Sequence, residues 1–250
     1  MTFTRVLGVG FVMLIVLPIL TSSGCTMLKV RGEDWRTARR DSSGQAPDAA
    51  TTNEAVLQVY VARTVGLRGA LAVHSWVAVK PEGASHYTRY EVIGWGVARG
   101  YPAVRVTQGN ADNYWFGAKP HKLFERRGDG VAAMIKQVEA AVRSYPYSGS
   151  YRTWPGPNCN TFVAHIARSV PQLRVDLPPT AIGKDFLPNG DVVGWAPSGT
   201  GFQVSLFGLF GVMVALEEGV EFNLLGLTFG VDLNSPGIKL PGVGRLGLGK

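Results

Sequence analysis

Cysteine and histidine are scarce in this chain, which has two of the first and four of the second among 250 residues. Two thiols cannot form a disulfide framework. No paired histidines, paired cysteines or carboxylate cluster stand at metal-ligand spacing, so metal catalysis is disfavoured and no cofactor is expected. Charge is thin as well: charged residues make up 17% of the chain, and the net charge of +7 is spread over short clusters such as Arg36, Arg39 and Arg40. No basic helix interleaved with aromatics appears, which argues against nucleic acid as a partner. Anionic lipid or a cell-wall polymer suits the charge better. What the chain has in quantity is hydrophobic residues, 46% of the total, enough to bury a core.

The two cysteines sit in different contexts. Residues 1–24 open with Arg5, run through an apolar stretch from Val6 to Leu20 and end in Thr21-Ser22-Ser23-Gly24 before Cys25, the layout of a signal peptide. The apolar stretch falls short of the about twenty residues that cross a bilayer comfortably. Small residues ahead of a cysteine are similar to the bacterial lipobox, in which Cys25 is lipidated and becomes the new N-terminus; Ser22 stands where an aliphatic residue is usual. Ordinary signal-peptidase cleavage and an uncleaved anchor are the alternatives. All three export the chain, to a cell envelope where it faces the periplasm, and with Cys25 lipidated Cys159 has no intrachain disulfide partner.

Residues 25–53 are polar and read as a flexible tether, with Asp41-Ser42-Ser43-Gly44-Gln45-Ala46-Pro47-Asp48 at its centre. Residues 54–195 read as an α+β domain, an antiparallel sheet packed on a few helices. Ala55 to Arg63 is a strand, Leu71 to Lys80 and Tyr87 to Trp95 form a hairpin around Pro81-Glu82-Gly83-Ala84-Ser85, and Val104 opens a further strand. The period then changes. Val131, Met134, Ile135, Val138, Ala141 and Val142 share one helical face, with Asp129 placed as the cap. A second helix begins at Asn158 or Cys159, buries Phe162, Val163 and Ile166, and stops before Pro171.

Residues 196–250 carry two apolar runs, Phe202 to Leu216 and Val220 to Leu233, joined at Glu217-Glu218-Gly219. They predict one long apolar β-hairpin, followed by a glycine-rich stretch extended along the surface. Counted in a single register, both faces of this hairpin are apolar, which calls for cover on both sides. The cover is either the domain and a loop, or a membrane or partner.

Cys159 lies in Trp154-Pro155-Gly156-Pro157-Asn158-Cys159-Asn160-Thr161-Phe162-Val163, where a proline-glycine turn delivers a thiol to the first turn of a helix. Unpaired amides and the positive end of the helix dipole favour thiolate there. Such a lone cysteine is otherwise a small buried hydrophobe. A nucleophile needs a base. His165 is six positions on, about 240° round the helix, and cannot face the sulfur; His121 reads as exposed. His74 lies within the apolar strand Ala72 to Val79, on one face with Trp76 and Ala78, and a histidine so placed requires a hydrogen-bond partner. Centring the hairpin at residues 82–83 brings Glu91 near His74, where it can orient the ring. His86 falls near the loop and is the weaker candidate.

The order of histidine strand, polar residue on the next strand and cysteine opening a helix resembles the circularly permuted papain-like fold. That fold includes the lecithin:retinol acyltransferase family and bacterial relatives of the NlpC-type cell-wall peptidases. The matching stretches are His74-Ser75-Trp76-Val77-Ala78-Val79 and Asn158-Cys159-Asn160-Thr161-Phe162-Val163. The resemblance spans about residues 55–170 and implies a Cys159–His74–Glu91 site forming an acyl-enzyme. The Cys159 amide and a donor from Asn158 or Trp154 would bind the oxyanion, and His86 stands at the second-histidine spacing of the acyltransferases. Substrates reachable in an envelope are cell-wall peptides and lipids. The whole chain also resembles an uncharacterised family of Gram-negative envelope proteins through Arg89 to Trp95 and Leu177 to Asp185. A non-catalytic reading stays open. In it the thiol is packed, and Trp95, Tyr114, Trp115, Tyr147, Tyr151 and Trp154 form a stacking surface for sugar or lipid, or the apolar tail joins a membrane complex.

Overall fold

A computed structural model of the chain describes residues 5, 8–10, 12–30 and 34–247. Parts of the predicted signal segment and the last residues of the tail, 248–250, lie outside the described residues. The chain is α+β, with two antiparallel sheets.

Strand β1 (Val56–Arg63) and strand β2 (Val73–Lys80) are buried on both faces, which accounts for their near-continuous apolar sequence. They lie at the centre of a five-stranded sheet with β3 (Tyr87–Val92), β4 (Val104–Gly109) and β5 (His121–Arg127), in the order β4-β3-β2-β1-β5. One face carries Leu57, Val59, Val77 and Val79 against two helices, α2 (Val131–Arg143) and α3 (Cys159–Ser169). An N-terminal helix, α1 (Leu17–Val30), precedes them in the chain. Phe162 and Ile166 of α3 are fully buried in this core, each contributing about 1.5–3 kcal/mol of apolar burial. The opposite face holds Val56, Tyr60, Trp76, Tyr87 and Ala111.

Three expectations change here. The cap of α2 is Gly130, with a positive φ of 78° and no side-chain bond, rather than Asp129. The stretch expected to be a flexible tether is part of the fold from Arg39 onward. Asp112 gathers the Ser42 and Ser43 hydroxyls and the Gln45 and Ala46 amides, and the Tyr87 hydroxyl donates to Pro47 O at 2.9 Å. These bonds hold the Asp112 carboxyl, despite its burial, below the usual carboxylate range. At the N-terminus, Gly8–Thr26 forms a helix 19 residues long with mean hydropathy 2.0, longer than the apolar run alone suggests and sufficient to cross a membrane.

The C-terminal region is β, as expected, but larger than one hairpin. Strands β6 (Val193–Trp195), β7 (Gly201–Leu206), β8 (Phe210–Ala215), β9 (Gly219–Leu224), β10 (Leu227–Asp232), β11 (Gly237–Leu240) and β12 (Gly244–Gly247) form a seven-stranded meander. Each predicted apolar run folds back on itself. The reversals fall at Phe207-Gly208-Leu209 and Leu225-Gly226, with φ positive at Phe207, Gly208, Leu225 and Gly226, the type I′ pattern that suits strand twist. The Leu225-Gly226 turn switches the alternation, and Phe207 and Leu209 lie in the other turn rather than in a strand, so the two faces are not both apolar. Gln203, Ser205, Glu221, Asn223, Thr228 and Lys239 are buried on the side facing the domain.

That polar side is bolted to the stretch leading to Asp185. Lys184 pairs with Glu221, and Lys239 reaches Glu221 at 2.7 Å and Asp176 at 2.8 Å. Asp185 accepts from Asn223 at 2.7 Å. The ions are paired and hydrogen-bonded, the condition under which buried charge is tolerated.

Candidate active site

Strand β3 pairs with β2 only over Trp76–Val79. From Ser75 back to Val73 the edge of β2 is free of β3, and the first turn of α3 fills the gap. The Ser75 hydroxyl donates to Asn160 Oδ1 at 2.8 Å, and the Asn160 amide donates to Val73 O at 3.1 Å and Ile182 O at 2.9 Å. The thiol of Cys159 is thereby fixed beside His74.

Asn158 sets the start of the helix. Its Oδ1 accepts from the amides of Asn160 and Thr161, while the Thr161 hydroxyl accepts from the Asn158 amide, a complete capping box. Its side-chain amide donates to Thr153 O at 3.1 Å and Ile182 O at 3.0 Å. Both donors are spent, so the Asn158 side chain is a structural cap and not an oxyanion donor. Gly183 makes room for it: φ there is +99°, and a Cβ would lie 2.4 Å from the Asn158 amide nitrogen.

His74 Nε2 lies 2.7 Å from Glu91 Oε2, which leaves Nδ1 for the thiol of Cys159. Glu91 stands opposite Trp76, so it is the diagonal neighbour of His74 on the same sheet face, not its direct partner. Arg89, two residues before Glu91, donates to the same carboxylate oxygen at 2.6 Å and lies 4.1 Å over the ring of Trp76. The His74 ring is stacked on Trp115, centroids 3.8 Å apart and 15° between planes. Trp115 comes from the loop that Asp112 anchors, so the wrapped N-terminal segment supports the site indirectly.

Burial opposes charge on all three groups, and their mutual contacts outweigh it. Cys159 is held below the ordinary thiol range by the charge and hydrogen bond of His74 and by the Ser75 and Asn160 amides. His74 is raised by Cys159 and by Glu91. Glu91 is lowered by His74 and then Arg89. The arrangement favours a thiolate–imidazolium pair steadied by a carboxylate.

A cleft of about 400 Å³ opens over the thiol, lined by Arg68, Leu71, Trp95, Trp115, Tyr151 and Trp154 among others. Cys159 itself is only 4% exposed, at the cleft floor. Tyr151 lines the cleft near the sulfur, and burial followed by the thiolate's charge raises the pKa of its phenol. Trp154 lines the cleft, but its indole N–H donates to Leu225 O at 2.9 Å, so it also is no oxyanion donor as it stands. His86 is away from the site, at the far end of the β2–β3 hairpin beside Ser85. His121 is exposed at the start of β5, and His165 donates to Ala141 O between α2 and α3. Of the aromatic residues considered as a stacking surface, Trp95, Trp115, Tyr151 and Trp154 line the cleft. Arg89 carries a signal in retrospect, since it shares the parity of Glu91; the role of Tyr151 carried none beyond its aromatic character.

Fold and site together define an α+β protein with a buried cysteine–histidine–glutamate constellation under an apolar cleft. Residues 54–186 match the family described as Protein of unknown function (DUF3750), and the chain belongs to that family. The matched span contains His74, Glu91 and Cys159 and ends where the chain meets the C-terminal sheet. No curated protein and no solved structure matches the chain.

Proposed function

We propose that this protein is an envelope-anchored thiol hydrolase or acyltransferase of permuted papain-like type, tied to the membrane through its N-terminus and facing the periplasm. The observation that carries the reading is the His74 ring, which is hydrogen-bonded to the Glu91 carboxylate and shares the cleft with the Cys159 thiol. The helix Gly8–Thr26, with exposed Cys25 near its end, supports the anchorage, as an uncleaved span or through lipidation of Cys25.

In this mechanism the Cys159 thiolate attacks the carbonyl carbon of a peptide, amide or ester, forming a C–S bond. The oxyanion is met by the Cys159 amide, an orphan donor at the helix start, and by the Tyr151 phenol. The C–N or C–O bond breaks as the His74 imidazolium protonates the leaving group, which gives a thioester. Water, or an amine or alcohol acceptor, then loses a proton to neutral His74 as it attacks the thioester, releasing acid or transferred product and restoring the ion pair. Glu91 holds the ring and its charge throughout.

Trapping the acyl-enzyme tests this. On brief incubation with p-nitrophenyl esters of short and long acids, intact-mass analysis should show one acyl group on Cys159 and none in Cys159→Ser. Ester turnover unchanged in Cys159→Ser and His74→Ala, with no adduct, would favour a binding module instead.

A further inference from the structure

The C-terminal sheet is built inside out. Its polar side chains face the domain, and its apolar ones face outward in unbroken cross-strand ladders. One ladder runs from Trp195 through Phe202, Val214, Val220 and Val231 to Ile238. A second runs from Val193 through Val204, Val212 and Phe222 to Phe229. Phe202 is 59% exposed, Val214 57% and Ile238 50%. No charged or hydrogen-bonding side chain interrupts either ladder apart from the Trp195 indole. A continuous apolar face of several strands exceeds the patches that soluble monomers leave to water.

The cause lies in the inner side. Lys184 and Asp185 bring charge to it, so the sheet answers with Glu221, Lys239 and Asn223, and its apolar residues have no other side to occupy.

We propose that this outward face rests in the interfacial layer of a lipid bilayer, the same one that holds the N-terminal helix. Two features favour lipid over a protein partner. The membrane-length helix meets the edge of the sheet, since the Ser22 hydroxyl donates to Gly242 O at 2.9 Å in the β11–β12 turn. The ladders also offer apolar area without charges or hydrogen-bonding side chains to specify a protein surface, which is what a bilayer interior accepts and a specific partner does not. The leash agrees: the chain is held to the domain from Arg39, and residues from Cys25 to there reach at most about 50 Å when extended. Docking in this way places the cleft rim at Trp154, which is bonded to the β9–β10 turn, beside the bilayer surface. The inference rests on the proposed anchorage as an uncleaved span, which keeps Ser22, and not on the thiol chemistry.

The test uses the full chain reconstituted into phosphatidylcholine/phosphatidylglycerol liposomes, with benzoylphenylalanine replacing Phe222, a conservative exchange, or Val212. The control position is Lys136, exposed on α2. After irradiation and flotation, lipid adducts at 222 and 212 with none at 136 are the expected result. Protein that floats with the vesicles but gives no lipid adduct, or cross-links at 222 to a second copy, overturns the docking while leaving the anchorage intact. Protein that does not float overturns both.

Discussion

Glu91 Oε2 lies 2.7 Å from His74 Nε2, and the Arg89 guanidinium approaches the same oxygen at 2.6 Å. One carboxylate thus serves a titrating base and a permanent cation, with all three groups buried. A charge so placed fixes the protonation of its neighbours as well as their geometry.

Glu91→Gln keeps the shape and removes the charge. Because the folded-state pKa of Glu91 is lowered, its contribution to stability is present above its unfolded value of about 4.3 and lost as pH falls through the folded value. Urea unfolding at a series of pH values should show the native protein weakening across that acid range, with a flatter response in Glu91→Gln. Parallel curves would mean that Glu91 is not ionised in the native state.

Arg89→Met removes the permanent cation and leaves Glu91 with His74 alone. Taking one partner from a buried ion pair costs about 3–5 kcal/mol. The expected readout is a fall in unfolding free energy of that size, together with Cys159 labelling that shifts in pH. Arg89→Lys should restore part of both.

Gly94→Ala tests the tyrosine. A Cβ at position 94 would lie 2.4 Å from the Tyr151 ring, which must shift from its place in the cleft. If Tyr151 is an oxyanion donor, thioester formation falls by up to about 10² to 10³-fold, the loss seen when such a donor is removed, while the circular dichroism spectrum is unchanged. Tyr151→Phe should match it.

Glu221→Leu takes a shared carboxylate from two buried ammonium groups, leaving Lys184 with Asp185 and Lys239 with Asp176. The expected loss is again about 3–5 kcal/mol, and it should appear first as faster amide exchange in β7–β10, where the sheet meets the domain. The double exchange Glu221→Leu with Lys184→Met should recover much of the loss, since apolar replacement of a buried pair is nearly neutral.

Much of the site could be read from local rules. The cap at Asn158 and the end of α3 at Ser169 follow from turn chemistry and Pro171, and the hairpin around Gly83 follows from its loop residues. The pairing differs from the sequence expectation by a slide along the strands that keeps Glu91 on the face of His74, whereas an odd shift would have turned it away. Trp115 and Tyr151 were legible as members of an aromatic surface but not as neighbours of the thiol and its base. Each reaches the site through a long-range path: Trp115 by way of Asp112 and the wrapped segment at Ser42, Tyr151 by way of the turn between α2 and α3. In the tail, the reversals at Phe207-Gly208 and Leu225-Gly226 pair glycine with an apolar residue rather than Asn or Asp. They were therefore hidden inside apolar runs: parity counted through Leu225-Gly226 mixes the two faces, and Phe207 and Leu209 belong to the other turn and not to a strand.

The most direct measurement is the rate of Cys159 alkylation by iodoacetamide across pH, in the native protein and in His74→Ala. The account predicts an apparent thiol pKa below the ordinary value of about 8.5 in the native protein, moving upward in the variant as the imidazolium is lost. A native value at or above about 8.5, or the same value in both proteins, would contradict an activated thiol at Cys159.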